Sequence, residues 1–183
     1  MLNIQKKLSN PFLALLALPA TAVGFALSTQ IAALSWILSK KYGLDIHEVA
    51  FVWLAGPIAG IFGQVIVGMI SDNVWFMGGR RRPFIIIGGI ISAIAFLCLP
   101  FIQEISNITG IADIVIIASL IALFLDLSVN VTFNPARSII ADLTPEGKVR
   151  TSGYVWMQIE SGFFGVFAYF LSMLFGNEIL LYI

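Results

Sequence analysis

The residue least at home in its surroundings is Asp126, in the run Ile121-Ala122-Leu123-Phe124-Leu125-Asp126-Leu127-Ser128-Val129-Asn130. The run lies about 10 residues from either end of a stretch long enough to cross a bilayer. An aspartate at that depth costs about 2.5–3.5 kcal/mol on insertion scales, so it faces a polar cavity, faces a partner, or carries a proton. Desolvation penalises the charged form, which suits the carboxyl to loading and releasing a proton. The plainer reading is a hydrogen bond between helices. Asn130 is one turn on and shares its face. A second acid, Glu160, sits among Gln158, Ser161 and Gly162. It reads equally as a second proton-carrying group or as a locally hydrogen-bonded one. Gln30, midway along the first apolar stretch, together with Trp53, Gln64 and Asn130, forms the candidate set of ligand contacts. Trp53 also suits the aromatic belt at a membrane surface.

Another set of groups lies where apolar segments end. Gly68 stands one turn before Asp72, and Gly79-Arg80-Arg81-Arg82-Pro83 opens the next segment. Arginines at a helix end need no role beyond anchoring, but the glycine and the aspartate are superfluous to an anchor. The carboxylate can pair with a guanidinium or sit at a helix N-terminus, which makes a latch that breaks and reforms. Beyond Phe133, Pro135 disturbs the helix, and Arg137, Asp142 and Arg150 supply alternating charges able to pair with that loop. The expected latch is Gly68, Asp72, Gly79, Arg80, Arg81, Arg137, Asp142 and Arg150, with topology anchoring as the alternative.

Lipid must be the solvent for the elements that position these residues. Of 183 residues 59% are hydrophobic and 11% charged, with mean hydropathy +0.98. Soluble domains are about 45–50% apolar and about 25% charged. Five segments are long enough to span: residues 12–38, 46–70, 84–102, 111–133 and 153–175. Asp45 and Glu48 form a capping box for the second, and Pro83 suits the first position of the third. Gly56, Gly60, Gln64, Gly68 and Asp72 recur every four residues, a slowly winding stripe that lets another helix approach. Chain 1–183 therefore reads as one membrane domain, with Ile179-Leu180-Leu181-Tyr182-Ile183 opening a truncated sixth span.

An N-terminus inside the cell puts eight of the ten Lys and Arg residues on the inner face and only Lys40 and Lys41 outside. The expectation is a multi-pass cell-membrane protein with a cytoplasmic N-terminus. Ten basic against ten acidic residues leave no net charge to suggest nucleic acid. With one cysteine, Cys98, there is no intrachain disulfide. No His/Cys metal spacing, Ser-His pair or phosphate-cradling loop argues for an enzyme, a metal or a cofactor.

Two resemblances follow. Asn134-Pro135-Ala136-Arg137 is similar to the aquaporin signature, but that family needs two copies meeting at midmembrane and this chain has one, on the cytoplasmic side. The loop Gly68-x-x-x-Asp72 to Gly79-Arg80-Arg81-Arg82-Pro83-Phe84-Ile85 resembles the signature of the major facilitator superfamily. Its spacing and ending resemble the plant sucrose transporters and the related glycoside–pentoside–hexuronide and solute-carrier-45-like proteins. Gly24-Phe25-Ala26-Leu27, Trp53-Leu54-Ala55-Gly56-Pro57-Ile58-Ala59-Gly60, and Leu125 to Asn130 with Pro135-Ala136-Arg137 and Ala141-Asp142-Leu143 agree in order. The resemblance implies an all-α polytopic bundle, the N-terminal half of a major facilitator fold, whose C-terminal bundle is absent from these residues. It implies alternating-access symport of a sugar or glycoside with protons. Asp126 falls on the family's proton-coupling position, whereas Ser28-Thr29-Gln30 departs from the glutamine expected after Leu27. A channel, or a non-transporting homologue acting as a sensor, is the alternative.

Overall fold

The computed structural model describes residues 8–75, 78–79 and 81–177, apart from the side chains at 64, 68 and 72. Among the described residues the chain is helical and contains no strand. Five helical segments are long and apolar enough to cross a membrane: Asn10–Lys41, Ile46–Ser71, Arg82–Thr109, Ile114–Leu143 and Lys148–Phe175. The sixth span expected after Asn177 lies outside the described residues.

Helix α1 (Asn10–Trp36) runs into a π turn, Ile37–Lys41, closed by the N–H of Tyr42 on the carbonyl of Ile37. The second span begins as α2 (Ile46–Trp53) on the expected capping box. Asp45 accepts from the N–H groups of His47 and Glu48, while Glu48 accepts from the N–H of Asp45. It breaks at Leu54 and resumes as α3 (Ala55–Asn73). Pro57 has no N–H to offer the carbonyl of Trp53, which explains a break at this point. Helix α4 (Arg82–Cys98) is followed by the 3-10 turn Leu99–Phe101, containing Pro100, and then by α5 (Ile102–Thr109). Gly110 ends α5 in the left-handed conformation, φ 73°, which a side chain would resist. Asp113 caps α6 (Ile114–Leu143), and α7 covers Lys148–Phe175.

Helix ends differ from the apolar boundaries because hydrogen bonding does not stop where lipid does. The third span starts at Arg82, with Pro83 second rather than first, and the fifth starts at Lys148, five residues before Gly153. Pro135 does not end the fourth span, which continues to Leu143. A proline removes one backbone bond. Here the flanking Ala136 and Ile140 are fully buried against Ala17, Ala20 and Met157, so packing holds the helix across the gap.

Helix α6 is the axis of the bundle. It meets α1, α2, α3 and α4, while α7 packs chiefly along α1. The interior mixes full-sized apolar residues, Leu34, Ile37, Leu99, Ile102, Leu125 and Ile140, with small and polar ones, Ala33, Ala59, Ala118, Ala122, Ser92 and Ser128. The outside is apolar as well. Ile61, Phe62, Ile90, Ile94, Phe124, Phe163 and Val166 are all exposed. Large apolar residues on the outside fit a lipid surround, and the small residues among the buried ones let helices approach closely.

Candidate functional site

Asp126 is 7% exposed, on the inner face of α6 about 18 Å along the axis from Ile114. Its Oδ1 accepts a hydrogen bond from Nε2 of Gln30 on α1, at 3.0 Å. Its Oδ2 is buried and has no partner among the described residues, and neither has Oε1 of Gln30. The third wall is α3. A Cβ on Gly56 would lie 3.6 Å from Oδ2, an ordinary contact distance, so α3 passes directly beside the carboxyl. A carboxyl group is thus held at a seam of three helices with one oxygen engaged and one idle. A buried polar atom without a partner costs about 1–3 kcal/mol, so the idle pair calls for an explanation.

The other candidates around it take different places. Asn130 donates from Nδ2 to the backbone carbonyl of Asp126, at 2.8 Å, and its Cβ is the closest atom facing Gly63. The packing glycines of α3 are therefore Gly56 and Gly63, with buried Ala59 between them. Gly60, from the four-residue stripe, has no neighbour on its open side. Steps of four drift about 40° each, so alternating steps of three and four hold one face better. Trp53 donates its indole N–H to Oγ of Ser35, at 2.9 Å. Gln30, expected as a ligand contact, is 1% exposed in this conformation and bonded to Asp126 through Nε2. The side chain of Gln64 lies outside the described residues.

Glu160 does not join Asp126. It is half-buried on α7 and accepts from Oγ1 of Thr21 on α1, at 3.1 Å, while Thr21 also donates to the carbonyl of Ala17. Thr21 and Gln30 are nine residues apart on α1, about 13 Å and half a turn round the axis. The two acids accordingly lie on opposite sides of that helix. Between α1, α4 and α6 there is a cavity of about 460 Å³, lined mostly by apolar groups including Phe25, Gly89 and Phe96. Thr29, Ser92 and Thr132 are its polar lining, and neither Asp126 nor Gln30 borders it.

At the opposite end of α6 the structure joins two of the expected latch residues. Nε of Arg81, just before α4, lies 2.8 Å from Oδ2 of Asp142 in the last turn of α6. Gly79 is buried against the side chain of Arg82. Arg137 rests over the ring of Phe133, 5.2 Å from its centre. Arg150 turns to its own segment, reaching Oε1 of Glu146 at 3.4 Å and the carbonyl of Thr144 at 3.0 Å. Among the described residues, Arg137 and Arg150 are thus engaged locally. The reason is that α6 persists to Leu143 and carries Asp142, not Arg150, to the loop. Arg80 and the side chains at Gly68 and Asp72 lie outside the described residues.

Similarity to known proteins is consistent along the chain. Residues 13–179 match the family model described as MFS/sugar transport protein. Sucrose transport protein SUC4 of Arabidopsis thaliana is 29% identical over 169 residues, covering 89% of this chain and 32% of the relative. Sucrose transport protein SUT3 of Oryza sativa subsp. indica is 35% identical over 152 residues, covering 76% and 29%. The general alpha-glucoside permease of Schizosaccharomyces pombe is 28% identical over 159 residues, covering 78% and 29%. The chain spans less than a third of the length of each of these relatives. No solved structure matches it.

Proposed function

Because the chain belongs to the MFS/sugar transport protein family, we propose that it forms the N-terminal bundle of a secondary transporter carrying a sugar or glycoside together with a proton. The observation that carries the reading is Asp126. A carboxyl sealed among α1, α3 and α6, with one oxygen unpartnered among the described residues, is poised to change charge. Sugar as the cargo is supported by relatives named for sucrose and alpha-glucoside transport. The bundle sits in the cell membrane with its N-terminus in the cytoplasm, and a second bundle completes the substrate site.

In this scheme a proton enters from the outside, where proton activity is higher, and neutralises Asp126. Losing the buried charge removes the penalty for closing the site around cargo. The bundles then rock, and the proton leaves inside. Both oxygens of Asp126 are covered in the present conformation, so exchange with water belongs to another one, in which α1 or α3 has moved. Purified full-length protein in liposomes, screened over glucosides with and without an inward pH gradient, tests this. Uptake that follows the pH gradient is expected, and uptake indifferent to it would reject proton coupling.

The Arg81–Asp142 pair belongs to the gate on the cytoplasmic side. Asp142 is 40% exposed and Arg81 14%, so water reaches the pair and screens its attraction, which leaves it able to open. Asp142→Asn should slow turnover several-fold with the order of preferred sugars unchanged. Exchanging the charges, Arg81→Asp with Asp142→Arg, should restore part of the rate. A changed sugar preference at normal rate would count against the gate.

A further inference from the structure

Among the described residues, two buried polar atoms lie on the same pair of side chains, and both are acceptors: Oδ2 of Asp126 and Oε1 of Gln30. The remaining two atoms of that pair are already joined, Nε2 of Gln30 donating to Oδ1 of Asp126 at 3.0 Å. A carboxylate has no proton to offer and an amide oxygen has none either, so in this charge state the two atoms cannot satisfy each other. With a single proton they can. Placed on Oδ2, it forms the O–H bond that donates to Oε1, while the existing N–H···Oδ1 bond stays. The result is the two-bond ring that a carboxylic acid and a primary amide form with each other. We infer that Gln30 is a positioning residue that ties α1 to α6 more tightly when Asp126 is protonated. This rests on the proton-coupling reading above and deepens it, since it says how the proton is felt outside α6.

The balance of the step is simple. One proton arrives from water at Oδ2, the net charge of the pair goes from −1 to zero, and one hydrogen bond between helices is gained. Among the described residues, no other titratable side chain touches the carboxyl. Of these residues, α1 presents Gln30 to the carboxyl and α3 presents Gly56. Helix α2 also packs on α6, and the N–H of its Trp53 is held by Ser35. Helix α4 meets α6 through Gly88 and Ser92 against Thr132 and Ser128, and α7 meets it through Gly153 against Ile140.

Loss of the amide gives opposite signs for the two roles it could play. If Oε1 receives the proton, removing it weakens the protonated form, and the pH of half-maximal uptake moves down. If only Nε2 matters, by supporting the anion, removal moves that pH up. Gln30→Met in the full-length protein, which keeps the volume and removes both groups, is therefore measured for proton-driven uptake against pH. A downward displacement of about one pH unit is expected for the loss of one such bond. An upward displacement, or none, overturns the inference. Should Gln30→Met fail to fold, Gln30→Asn keeps an amide one carbon short and should move the profile in the same direction, with the same outcomes overturning it. Asp126→Asn separates the layers. If pH dependence survives in that variant, proton coupling at Asp126 fails and the inference falls with it. If pH dependence vanishes there but the Gln30 variants keep the wild-type profile, only the inference about Gln30 fails.

Discussion

Asp126→Asn in the full-length protein is expected to lose accumulation of sugar against its gradient while keeping exchange of sugar for sugar. Asparagine has the shape of the carboxyl and can still bond Gln30 on one side, so α1, α3 and α6 should assemble as before. It cannot take up a proton at neutral pH. With one proton carried per sugar, each pH unit across the membrane sustains about a tenfold concentration ratio. The variant should bring that ratio to one. Concentration ratios of labelled sugar in liposomes at imposed pH differences measure it directly, and undiminished uphill uptake would take the energetic role away from Asp126.

The second large effect concerns assembly. A Cβ on Gly88 of α4 would meet Oγ1 of Thr132 and would lie 2.8 Å from the backbone carbonyl oxygen of Ser128. The threonine could turn aside, but the carbonyl belongs to the central helix and cannot. Gly88→Ala should thus push α4 off α6, at about 1–3 kcal/mol. The hydrogen bond between Ser92 and Ser128, one turn further on, should weaken with it. Gly89→Ala is the control on the same helix. It has no atom within 4 Å of the new methyl, and alanine favours helix by up to about 1 kcal/mol. Thermal unfolding of the two purified variants in detergent should give a clear drop for the first and none for the second. Equal midpoints would mean that the α4–α6 seam is softer than its spacing implies.

Much of the fold was legible because lipid imposes a simple rule. Each span must satisfy its own backbone, so composition and length alone give five helices. The Asp45 cap was readable for a related reason, since its partners lie within three residues. Asp126 stood out because a charge in an apolar run is expensive wherever the run goes. Its partner did not. Gln30 is 96 residues away, and periodicity shows which face a residue shares without saying which helix comes to meet it. The continuation past Pro135 was hidden likewise, since it depends on Ala17, Ala20 and Met157 from two other helices. For the latch, the sequence offered Arg137, Asp142 and Arg150 alike. Helical phase selected Asp142, and the length of α6 placed it at the loop.

The long reach of the α1 contacts bears on how the protein is made. Gln30 finds its partner 96 residues later in the chain, and Thr21 finds Glu160 139 residues later. At ordinary synthesis rates the first interval is roughly 5–20 s. Throughout it α1 has left the ribosome with a midspan amide and no mate. It must be sheltered at the insertion machinery or endure the wait until α6 brings the carboxyl and α7 covers its other side.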